Sequence, residues 1–303
     1  MSVTLPERVE KPFGSGVILA TIAVHALLGV GGAFTRLIPT IHTVATVGVA
    51  VALMFFGNRP DRIVAVAAYG GMCDVYWRMT KSSAPWELSK YLLALGAVVL
   101  TVRFVRRAPK GWVPSALLLT LVPGMLLTAF SETLHFTRDR ISSYEMGMIS
   151  MALGAIAFRH LRATQTDAWN LGWIVLGPLI AALGVTTHAL VTSPDLGFTA
   201  NSNAIATGGF GPNQVSSTMG LITLICVLLT FLPGGRRLWW VLAPLGLWAT
   251  WATFLTFSRG GIYSAVLAGA AMLLVGVTQR GARLRSLLTL VAVAAALVVV
   301  FNS

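Results

Sequence analysis

Residues 16–57 read GVILATIAVHALLGVGGAFTRLIPTIHTVATVGVAVALMFFG, and this stretch decides the fold class. Arg36 is its single Lys, Arg, Asp or Glu, with an apolar run on either side long enough for a transmembrane helix, which needs about 20 residues. In lipid each backbone amide must find its partner within the same segment, so such runs are helices. A membrane barrel would instead show short strands of alternating polarity.

The same pattern recurs along the 303 residues, which are 56% hydrophobic and 11% charged with a mean hydropathy of +0.79. Soluble domains carry about 25% charged residues, so too few charges are present to coat a water-facing surface. The predicted fold is an all-α, polytopic membrane bundle, a single transmembrane domain over 1–303. Eleven spans are expected, at 16–34, 38–57, 62–80, 87–105, 112–131, 145–160, 169–192, 214–232, 237–257, 260–278 and 285–302. The sixth is short and can extend into the polar stretch before it.

The net charge of +12 lies in short clusters between apolar runs, a topology signal that argues against a nucleic-acid partner. With the N-terminus inside, fifteen basic and four acidic residues fall on the cytoplasmic side, against seven and six outside. The positive-inside rule therefore sets the N-terminus in and the C-terminus out. Cys73 and Cys226 fall within spans and read as small apolar core residues. The five histidines show no metal-ligand spacing, so no metal and no cofactor is expected.

Three outer segments carry candidate chemistry. The external loop 193–213 ends in Gly208-Gly209-Phe210-Gly211-Pro212-Asn213-Gln214, with Gly211 and Pro212 set to cap and open a helix. A helix beginning there directs N–H groups at an anion, although turn formation alone accounts for the glycines equally. Ser258-Arg259-Gly260-Gly261 holds an arginine at the membrane boundary, suited to phosphate oxygens or to snorkelling toward headgroups. Around Asp74, Tyr76, Trp77, Arg78, Lys81, Trp86, Glu87, Lys90 and Tyr91, charges mix with aromatics. Glu87 and Lys90 are spaced to pair along a helix, and the aromatics suit either a sugar ring or the membrane interface.

Trp77-Arg78, Pro85-Trp86-Glu87, Lys90-Tyr91, the 208–214 motif and Ser258-Arg259-Gly260-Gly261 together resemble the O-antigen ligase and polymerase family of bacterial envelope enzymes, over about two thirds of the chain. That resemblance implies a GT-C-type glycosyltransferase of the inner membrane. It would take a glycan from undecaprenyl pyrophosphate, a membrane lipid carrier, to a glycan or lipid A-core acceptor at the outer face. It further implies a pyrophosphate role for Arg259 and for Arg78, with Gly211, Asn213, Gln214, Glu87 and Lys90 as further substrate-binding candidates. The family carries a large external loop with a functional histidine after these spans, which the resemblance makes the missing part of a truncated member. A flippase for lipid-linked oligosaccharides, or a non-catalytic part of an envelope-assembly complex, remains open on the residues alone.

Overall fold

A computed structural model describes residues 11–104, 112–131, 133–159, 161, 163–193, 204–232 and 234–256, with the isolated positions 258, 263, 266 and 270. Among the described residues the elements are all helical. They are α1 Ser15–Phe34, α2 Leu37–Phe56, α3 Pro60–Met72, α4 Asp74–Met79, α5 Leu88–Phe104 and α6 Val113–Ser131. There follow α7 Leu134–Arg140, α8 Met146–Phe158, α9 Gln165–Thr192, α10 Pro212–Phe231 and α11 Trp239–Leu255.

Six helical stretches are long and apolar enough to cross a membrane: Ser15–Phe34, Leu37–Phe56, Val113–Phe130, His135–Phe158, Gln165–Thr192 and Pro212–Phe231. Large apolar side chains face outward, among them Phe34, Phe56 and Phe130, and the Val113–Phe130 span contains no buried residue. In water such a surface would aggregate; in a bilayer it meets acyl chains.

Two expected spans take a different form. The third divides into α3 and α4 at Cys73, whose N–H donates to Gly70 O at 3.3 Å in place of the regular helical bond. The sixth extends backward as foreseen. Leu134–Arg140 is already helical and runs through a π-helical turn, Ile141–Glu145, into α8. The segments 260–278 and 285–302 fall outside the described residues except for positions 263, 266 and 270.

The chain forms two compact units. The first comprises residues 1–12 and 34–178, and its helices pack chiefly as α5 on α8, α3 on α5, α2 on α3 and α6 on α8. The second comprises 13–33 and 179–303, where α10 lies along α11. Gly246 of α11 faces Cys226 of α10, and Thr223 and Thr250 share a 3.0 Å hydrogen bond across the seam. Small side chains and hydroxyls of this kind hold helices together where lipid offers no hydrophobic drive. Gly29 in α1 meets the backbone around Gly184 so closely that a Cβ on it would lie 2.3 Å from Ala181 O. Both cysteines are buried and free.

Candidate functional site

In the first unit the site is built by the end of α4. Lys81 N–H donates to Arg78 O at 3.1 Å and Ser82 N–H to Trp77 O at 3.0 Å, the paired bonds of a Schellman motif. The left-handed position of that motif belongs to Lys81, at φ 51°, the single non-glycine with positive φ among the described residues. The turn sends Ser82–Trp86 back past α4. Thr43 Oγ1 donates to Ser82 Oγ at 3.5 Å and Ser83 N–H to Thr40 Oγ1 at 3.3 Å, tying the returning strand of chain to α2.

This fold-back brings the charges together. Arg78 Nη2 lies 3.0 Å from Asp74 Oδ1, 3.3 Å from Glu87 Oε2 and 2.8 Å from Trp86 O. Lys90 Nζ reaches Glu87 Oε2 at 2.5 Å, the pairing expected from their spacing, and Ser89 Oγ donates to Asp74 Oδ1. The Arg78 and Glu87 side chains are only 8% and 4% exposed. The guanidinium stacks on Trp86 with its carbon 4.4 Å from the ring centroid. Arg78 Nε is buried without a hydrogen-bond partner among the described residues. Asp74, Trp77, Arg78, Lys81, Pro85 and Trp86 line a pocket of about 170 Å³.

Behind the pocket, Trp77 Nε1–H donates to His42 Nδ1 at 3.0 Å, and His42 Nε2 lies 2.8 Å from the Tyr69 hydroxyl. Since Nδ1 accepts from the indole, the ring proton sits on Nε2 and faces Tyr69. His42 and Ser89 are the partners that sequence reading missed. Thirty-five positions separate His42 from Trp77, and no periodicity links them.

In the second unit Gly209 N–H donates to Ala204 O at 2.8 Å and Gly208 N–H to Ile205 O at 3.0 Å, again a Schellman pair. Gly208 and Gly209 have φ of 67° and 80°, so the backbone accounts for both glycines. The buried Thr207 hydroxyl pins the turn through Ala204 O and Phe210 O. Gly211 is the N-cap of α10 and Pro212 its first residue, as their order predicts. Gly211, Asn213 and Gln214 are exposed.

From that helix start, Asn213 Oδ1 accepts a 2.7 Å hydrogen bond from Ser258 Oγ. Ser258 O accepts from Ser216 Oγ at 3.3 Å, and Ser258 itself is 1% exposed. The glycine-rich motif and the first residue of Ser258-Arg259-Gly260-Gly261 thus meet. Arg259 itself lies outside the described residues.

The seven substrate-binding candidates therefore fall into two groups and one remainder. Arg78, Glu87 and Lys90 form one ion network; Gly211, Asn213 and Gln214 open α10 beside Ser258; Arg259 is the remainder. Among the described residues no cluster of His, Cys, Asp and Glu could hold a metal ion. No protein-family model, no curated protein and no solved structure matches the chain.

Proposed function

We propose that this chain transfers a glycan from undecaprenyl pyrophosphate to a hydroxyl of a glycan or lipid A-core acceptor at the outer face of a bacterial inner membrane. In this reading it crosses that membrane about eleven times, N-terminus inside and C-terminus outside. The observation that carries the proposal is the Asn213–Ser258 hydrogen bond. It joins a helix start that favours negative charge to the residue preceding Arg259, an arginine that the resemblance to O-antigen ligases and polymerases assigns to the pyrophosphate. The ordered motifs that carry this resemblance are its second support.

Chemically, the acceptor oxygen forms a bond to the anomeric carbon as the bond from that carbon to the pyrophosphate oxygen breaks. Undecaprenyl pyrophosphate leaves, and the acceptor hydroxyl gives up its proton to a base. Negative charge grows on the leaving group, so a fixed arginine and backbone N–H groups aimed at it stabilise the transition state more than the ground state. Arg259 is the expected donor of that stabilisation. Arg78 is less suited to it, because two carboxylates and a carbonyl already occupy its Nη2.

The test is the intact chain in nanodiscs, given undecaprenyl-pyrophosphate-linked glycan and acceptor, with products read by mass spectrometry. Arg259→Ala should cut transfer by about a hundredfold or more, as loss of an oxyanion-type donor does, while leaving expression and monodispersity intact. Wild-type transfer by that variant removes Arg259 from the reaction.

A further inference from the structure

We propose that the pocket between α4 and Trp86 holds a single pyranose ring of the transferred or accepting glycan and is not the pyrophosphate site; this rests on the transferase reading above.

Charge is the first argument. Asp74 and Glu87 each pair with Arg78, and Lys90 with Glu87, so these four side chains cancel and Lys81 is the one cation of the lining left without an ion pair among the described residues. A pyrophosphate entering here would meet the Asp74 carboxylate in the lining, with the Arg78 charge already shared between Asp74 and the buried Glu87. Like charges at that range in a partly dehydrated site repel strongly. An uncharged polyhydroxyl ring meets no such penalty.

Shape and donor chemistry are the second. Trp86 remains 58% exposed with the Arg78 guanidinium stacked on it. The negative face of an indole ring attracts the slightly positive C–H face of a pyranose. Beside it Asp74 Oδ1 receives Ser89 and Arg78, whereas Oδ2 accepts no hydrogen bond among the described residues. That oxygen can accept from a sugar hydroxyl. Lys81 has no ion pair among the described residues, and its backbone is held at the pocket rim by the left-handed turn. At about 170 Å³ the space is smaller than the roughly 300–1,000 Å³ that drug-sized ligands occupy, which fits one ring and not an oligosaccharide.

The experiment is saturation-transfer NMR on the intact chain in nanodiscs with the methyl glycosides of glucose, galactose, N-acetylglucosamine and rhamnose, repeated with inorganic pyrophosphate as competitor. At least one glycoside should bind, about tenfold more weakly in Trp86→Ala, a loss Trp86→Phe should partly restore. Pyrophosphate should leave that signal unchanged. Binding that is indifferent to Trp86→Ala, as expected if the indole only anchors the chain at headgroups, overturns the sugar subsite and leaves the transferase reading standing. Displacement by pyrophosphate does the same, since the pocket then belongs to the carrier end of the donor. Failure of every glycoside and of pyrophosphate to bind the intact chain overturns both.

Discussion

Arg78 and Glu87 form an ion pair at 3.3 Å with both side chains almost wholly buried, one at the end of α4 and the other just before α5. Burying two charges costs more than their attraction returns unless further hydrogen bonds complete each shell. Here Asp74, the Trp86 carbonyl and Lys90 supply such partners, while Arg78 Nε has none among the described residues.

Breaking this pair by removing one partner leaves an unmatched buried charge. Glu87→Ala and Arg78→Ala should each lower stability by about 3–5 kcal/mol, read as denaturant or thermal unfolding in detergent. The joint replacement Arg78→Met with Glu87→Leu should recover much of that loss. Single-variant losses below about 1 kcal/mol, typical of exposed pairs, would mean that water reaches the network.

Lys81 and Gly208 occupy the same left-handed position in two Schellman turns, and they predict opposite outcomes. Lys81→Gly relieves the Cβ penalty and should stabilise by about 1 kcal/mol. Gly208→Ala introduces that penalty and should destabilise by about 1–2 kcal/mol. Unfolding midpoints that move in the same direction for both would contradict the backbone assignment.

Gly29 permits the close approach of α1 to the stretch of α9 around Gly184. With Ala181 O 2.3 Å from where a Cβ would sit, and that atom being backbone, the helices must separate to admit even a methyl group. Gly29→Ala should cost about 1–3 kcal/mol, the range for overpacking. Gly48→Ala, with open space around its Cβ position, is the control and should be neutral within about 0.5 kcal/mol.

Much of this architecture is legible in the sequence, because span length and apolarity are set by the bilayer and leave their mark residue by residue. The Cys73 break is not: Gly70, Gly71 and Met72 are apolar, and hydropathy does not register a change in hydrogen-bond register. Helix α7 is legible only as the polar stretch into which the sixth span can extend. His135, Arg138, Asp139 and Arg140 keep its hydropathy low, so its bounds do not show in the apolar pattern, and Arg138 and Asp139 pair at 2.9 Å.

At the site, the Glu87–Lys90 pairing follows from spacing along one helix. The contact from Arg78 to Glu87 does not, since it depends on a lysine adopting a conformation that favours glycine. The Trp77–His42 and Asn213–Ser258 bonds join segments 35 and 45 positions apart, and only packing brings them together.

The most direct test of the account is to follow both products of the wild-type chain over time in one reaction with lipid-linked glycan and acceptor. The account predicts glycosylated acceptor and free undecaprenyl pyrophosphate appearing in equal amounts. Glycan that crosses a sealed proteoliposome membrane still attached to its lipid, with no acceptor modified, would contradict it and identify a transporter.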